Sequence, residues 1–271
     1  GVTYSVIART RSPDRAFGML LLVQFGLGGL GVMFLPTLVP DYGARILFLS
    51  LAALTACALA ALAAIPRLEG ARATDATAAT PRLATPARVT ASLALLALFL
   101  FQGGNMALSA FIIRLGEHYA LGRDFIGQAL GWATWIGAAG AGLVIFMGTR
   151  FGRLRPLLVA MLLTLAGTAG FFWSGSQPVF FAANVGTAIT WSFVVPYLFG
   201  MLSRLDASGR LATLGGFVSK LGLASGPMLA GQLLSNDDFP FLIAIAITAL
   251  ALSMFAMLAA ARRIDRLEPE A

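Results

Sequence analysis

Hydrophobic residues run through this chain in long blocks, broken by short turns that carry most of the arginines. The blocks show neither the two-residue alternation of a half-buried strand nor the narrow stripe of a soluble amphipathic helix. Each is 18 residues or longer, enough for an apolar helix to cross a bilayer. They fall at Phe17–Val39, Ala44–Ile65, Ser92–Gly116, Phe125–Met147, Pro156–Trp173, Val179–Met201, Leu211–Leu234 and Phe239–Ala261. Residues 1–8 are apolar but too short to span, and read as the last two turns of a further helix. Residues 67–91 are rich in Ala, Thr, Pro and Arg without a hydrophobic period, and read as a linker. The pattern predicts an all-α polytopic helix bundle of eight transmembrane spans plus a short stub of a ninth. It also predicts three segments: 1–66, the linker 67–91, and six spans over 92–271.

Composition agrees. Of 271 residues, 58 % are hydrophobic and 11 % charged, against about 25 % charged in soluble domains. Mean hydropathy is +0.84. These values exclude a soluble protein and predict a lipid bilayer as the surrounding medium. The net charge of +7 does not argue for nucleic acid, because its distribution follows the spans. With eight spans, 15 arginines fall on one side and only Arg45, Arg114 and Arg123 on the other. By the positive-inside rule the linker and C-terminus are cytoplasmic, and the protein is a multi-pass protein of the inner or plasma membrane. Cys57 is the single cysteine and His118 the single histidine, so neither an internal disulfide nor a metal site is predicted, and no cofactor. His118, near Glu117 and Asp124, has no third partner; nothing else offers an enzyme's constellation, and no enzymatic activity is expected.

Lys220, the only lysine, changes the picture most. It lies near the middle of Leu211–Leu234, where a charge costs at least ~2.5–3.5 kcal/mol in a bilayer. At 100° per residue, Gly215, Ser219, Gly222 and Gly226 form a small-residue stripe suited to close helix packing, and Lys220 points away from it. Larger polar and tryptophan side chains recur in selected spans only. The third carries Gln102 and Asn105, the fourth Gln128, Trp132 and Trp135 on one face, the sixth Asn184, Thr187 and Trp191 on one face. These residues and Lys220 are the candidate solute-binding set: Lys220 as counter-charge for an anionic or zwitterionic group, the amides and Thr187 as hydrogen-bonding groups, the tryptophans as walls. The second, fifth and eighth spans lack internal polar side chains of this kind and should face lipid.

Three motifs resemble the major facilitator superfamily. Arg150-Phe151-Gly152-Arg153-Leu154-Arg155 is similar to that family's basic loop between helices eight and nine, with Thr149 in place of the usual Asp, so the loop carries no acid of its own. Gly222-Leu223-Ala224-Ser225-Gly226-Pro227 is similar to its glycine–proline packing pattern in helices five and eleven. Asp206-Ala207-Ser208-Gly209-Arg210 and Ser12-Pro13-Asp14-Arg15 precede two corresponding spans. The resemblance implies helices seven to twelve over 92–271, helices five and six before the linker, and the end of helix four at 1–8. It therefore implies an N-terminally truncated chain. It also implies secondary active transport of a small solute by alternating access, with Arg150, Gly152, Arg153 and Arg155 as a gating loop and a coupling ion that the sequence does not identify. The alternative is a non-transporting remnant or membrane interaction module.

Overall fold

The computed structural model describes residues 2–63, 85–206, 208–234 and 238–266. Every regular element among them is helical. In order these are α1 (Val2–Ala8), α2 (Pro13–Tyr42), α3 (Arg45–Ala63), α4 (Thr85–Ser109), α5 (Ile112–His118), α6 (Arg123–Met147), α7 (Leu154–Gly170), α8 (Gln177–Leu205), α9 (Arg210–Leu233) and α10 (Phe239–Asp265). A 3-10 turn, Phe171–Trp173, extends α7. Five of the described helices are long and apolar enough to cross a membrane: α4, α6, α7 with its 3-10 turn, α8 and α10. The glycines and Lys220 dilute the hydropathy of α9, which is 24 residues long.

Two boundaries differ most from expectation, both on α4, by seven residues each. α4 starts at Thr85, inside the stretch read as linker, and stops at Ser109, where the sequence predicts a span to Gly116. The chain then restarts as the short α5, because an apolar run by itself does not reveal a break in the helix. The rest of the predicted linker, including Arg67, Arg72 and Arg82, lies outside the described residues.

Local chemistry sets the helix ends. Asp238 caps α10 by accepting a hydrogen bond from the Phe241 N–H at 3.0 Å, with Pro240 in the first turn. Gly148, at φ +54°, ends α6, and Gly209, at φ +81°, precedes α9. Such backbone angles suit glycine because it has no Cβ. Side-chain polar groups are satisfied mainly within their own helices. Ser50, Thr55, Thr134, Thr164, Thr168 and Thr248 donate to carbonyls four residues back, at 2.8–2.9 Å. A polar group bonded this way can sit in an apolar medium without a stranded donor.

The chain divides into two compact units, one of residues 1–27 with 85–271 and one of 28–84. The described part of the second unit is the end of α2 followed by α3, whose side chains are exposed almost throughout, Phe48 to 73 %. In the first unit α4 packs against α9 and α10, while α8 packs against α6 and α7. α7 meets α10, and α8 also touches α4 and α9. α8 is the axial element, with residues 192–203 all buried. One core cluster includes Phe17, Leu98, Phe101, Tyr197, Met201 and Met257; another, toward the opposite helix ends, includes Leu115, Ile126, Phe171, Phe180 and Phe239. α10 buries one face, Leu242, Ala246, Leu250 and Met257, so its uniform hydropathy conceals a packed side.

Candidate functional site

The α9–α4 seam positions the site. Gly215, Ser219, Gly222 and Gly226 are buried, as their common face requires. A Cβ on Gly222 would stand 2.6 Å from the Phe99 carbonyl oxygen, and one on Gly226 would strike the Gly103 carbonyl. The two backbones therefore touch with no side chain between them.

This contact brings Ser219 to Gln102. The Gln102 amide nitrogen donates to Ser219 Oγ at 2.8 Å, and the indole Nε1–H of Trp191 donates to Gln102 Oε1 at 2.7 Å. Three helices, α9, α4 and α8, are thereby linked by one polar chain. Gln102 is only 2 % exposed. Loss of either bond would strand part of a buried amide.

Trp191 lines two cavities, and Gln102 lines the smaller of them. The larger, about 240 Å³, is lined by Asn105, Asn184, Thr187 and Trp191, together with Phe25 and Thr168. Asn105 and Asn184 each donate one amide N–H to their own helix, to Phe101 and Phe180 carbonyls at 2.8 Å. Their amide oxygens and remaining N–H groups are the available ligand-binding atoms. The smaller cavity, about 50 Å³, is lined by Lys220, Gln24, Gln102, Ser219 and Trp191. Its wall includes Tyr4, Phe17 and Phe199, whose rings stack with centroids 4.9–5.8 Å apart. Lys220 itself is exposed.

The predicted set is thus brought together only in part. Lys220, Gln102, Asn105, Asn184, Thr187 and Trp191 line one or both cavities. Gln128, Trp132 and Trp135 line neither; all three are exposed on α6, Trp132 to 56 %. Their shared face is real, but it is exposed and contributes no residue to either cavity. Sequence reasoning passed over Ser219 as a ligand for Gln102, because serine in a small-residue stripe reads as packing. It passed over Phe25 and Thr168 because apolar residues and threonine are common in every span.

A second polar cluster lies where α2 and α7 begin and α10 ends. Arg153, 2 % exposed, sits with one guanidinium nitrogen 3.4 Å from Asp14 Oδ2 and another 3.9 Å from Asp265 Oδ1. Asp265 Oδ2 also accepts the backbone N–H groups of Arg153 and Leu154, both at 2.9 Å, at the α7 N-terminus. Gly152, at φ +65°, leaves room for that carboxylate. Gly200 likewise makes room for Asp14, since a Cβ there would overlap the carboxyl group. Tyr197 donates its hydroxyl to the Gly148 carbonyl at 2.6 Å and holds the end of α6. The basic loop carries no acid of its own and draws both acid partners from other helices. Arg150 and Arg155 remain exposed. The visible signal was Asp14 in Ser12-Pro13-Asp14-Arg15; Asp265, among terminal arginines, gave none.

No protein-family model matches the chain, and no curated protein matches it.

Proposed function

We propose that the protein is a secondary transporter of the major facilitator type, moving a small solute with an anionic or zwitterionic group across the cell's inner or plasma membrane by alternating access. The observation that carries this reading is the pair of cavities that share Trp191 as a wall residue, one toward each end of α8, with the Trp191 indole held by Gln102. A polar barrier with a chamber on either side is what a binding site exposed to one side at a time requires.

Two features support it. On this reading α4, α6 and α7 form one trio and α8, α9 and α10 another; the first helix of each packs on the second and third helices of the other, and the two third helices, α7 and α10, meet. That reciprocity supports a reading of the two trios as related repeats, as this transporter type would have. The ion cluster supplies a latch at the arginine-rich end. On this reading Asp14 belongs to one half of the transporter, and Arg153 and Asp265 to the other. Rocking of the halves would have to break the Asp14–Arg153 pair, which counts as the closed-end contact. Lys220 then faces the solute's negative group, with Asn105, Asn184 and Thr187 contributing hydrogen bonds from the larger cavity.

The test is flux through proteoliposomes containing the protein expressed from its complete reading frame, with small carboxylates and amino acids screened as solutes. Lys220→Ala should abolish or redirect transport while leaving the Tm within a few degrees of the parent. Transport with unchanged kinetics in that variant would refute the counter-charge role. A correctly folded protein that moves none of the solutes would instead favour a membrane interaction module.

A further inference from the structure

The arginine-rich end holds a third cavity, beside the Asp14–Arg153 latch, to which the transport reading assigns no ligand. It is about 230 Å³ and lies between the start of α2 and the α6–α7 turn. Five arginines line it, Arg11, Arg15, Arg150, Arg153 and Arg204, and Asp14 is its single acid. Arginines at one end of a membrane bundle follow from orientation alone. Their convergence on one concave space does not, since like charges within a Debye length of about 8 Å repel.

The fold holds two of the five in place. Arg153 is buried and anchored by Asp14 and Asp265. Arg15 lies across the wall, with Nε 2.8 Å from where a Cβ on Gly148 would stand, so the glycine makes the space it occupies. Arg11 and Arg150 are exposed at the rim, beside Ser12 and Thr149. The 30-residue helix α2 adds its positive end: the Ala16 N–H bonds the Ser12 carbonyl at 3.1 Å, so the N–H groups of Asp14 and Arg15 precede the ladder.

We propose that this cavity binds a phosphate group. Guanidinium groups arriving from several directions match a tetrahedral anion, whose oxygens accept in as many directions, better than a planar carboxylate. The volume is below the ~300–1,000 Å³ of sites for drug-sized ligands, so the cavity takes a single phosphate rather than a nucleotide. The phosphate comes either from a lipid headgroup at this end of the helices or from a free ion. The site shares Asp14 and Arg153 with the proposed latch, but phosphate binding in the latched form requires no transported solute.

The full chain, purified in a neutral detergent, would be titrated with inorganic phosphate by calorimetry. In parallel, phosphatidylcholine nanodiscs with and without phosphatidylglycerol would be compared for lipid co-purification by mass spectrometry. One probe should bind saturably, near one per chain. Binding should weaken at least about tenfold in Arg11→Gln/Arg150→Gln, where both changes are at exposed positions. It should also weaken in Ser12→Glu, which places a carboxylate at the rim. Arg262→Gln/Arg263→Gln, which alters two arginines outside the cavity, should leave it unchanged. Saturable inorganic phosphate identifies the free ion. Selective retention of phosphatidylglycerol without it identifies the headgroup. Equal weakening by both double variants would show only a basic surface and overturn the site, as would failure of both probes to bind.

Discussion

Single residues in this protein act through partners distant in the chain. Trp191 and Gln102 are 89 positions apart, yet they share a 2.7 Å hydrogen bond. Trp191→Phe keeps the ring and removes the donor, leaving the buried Gln102 oxygen without it. We expect a cost of about 1–3 kcal/mol in thermal or denaturant unfolding. Trp191→Phe/Gln102→Leu should recover part of that cost, because both ends of the bond are then apolar. Asp14 is a stricter case. Asp14→Asn removes one charge from a buried pair and should destabilise by up to about 3–5 kcal/mol, less whatever Asp265 retains on Arg153. A different acid governs the approach to α9. Partial burial raises the pKa of Asp206, but hydrogen bonds from the Ser208 hydroxyl and from the N–H groups of Leu211 and Ser208 outweigh it and hold the carboxyl below its usual range. A depressed folded-state pKa stabilises above the unfolded value of ~3.9, and that contribution fades as pH falls through the folded value. The Tm gap between the parent and Asp206→Asn should therefore be full at pH 7 and shrink below about pH 4.

At the scale of elements, the glycines divide into those that make room and those that do not. Gly222 and Gly226 lie in the α9–α4 seam, where a Cβ meets backbone, which cannot move aside as a side-chain tip can. Gly222→Ala should cost about 1–3 kcal/mol through overpacking and shift α9 enough to disturb the Gln102–Ser219 bond. Gly231, on the same helix, would place its Cβ 3.6 Å from Phe111, an ordinary contact. Gly231→Ala should be neutral or stabilising by up to about 0.5–1 kcal/mol, since alanine is the better helix former. Comparing the two unfolding midpoints separates packing from propensity. The seam was legible because α9's small residues recur on one face. The break between α4 and α5 was not, because Ala110 and Phe111 are as apolar as their neighbours.

Over the whole molecule, many hydroxyl side chains of the described helices are satisfied within their own helix, and large apolar side chains are exposed, as a lipid medium requires. Cys57 tests this directly. It is exposed on α3, among exposed apolar residues. In intact membranes it should react with a lipid-soluble maleimide and resist a charged one; equal labelling by both would place α3 in water. In a Cys57→Ser background, Ser208→Cys and Glu117→Cys should be labelled from opposite sides of the membrane, with Ser208→Cys reached from the cytoplasm if the arginine bias sets orientation.

Helix type, the approximate ends of most helices, the glycine seam and the arginine asymmetry were determined by the sequence. Each is a local or periodic property of hydropathy and residue size, and needs no knowledge of neighbours. Tertiary structure alone decided which polar faces converge. Gln128, Trp132 and Trp135 carry as clear a helical spacing as Asn184, Thr187 and Trp191, yet of the two groups it is the second that lines the larger site cavity. Only packing showed that Arg153 finds its acids 139 and 112 positions away. The reason is physical: a spacing of three or four residues specifies a face, while its partner depends on how the helices pack.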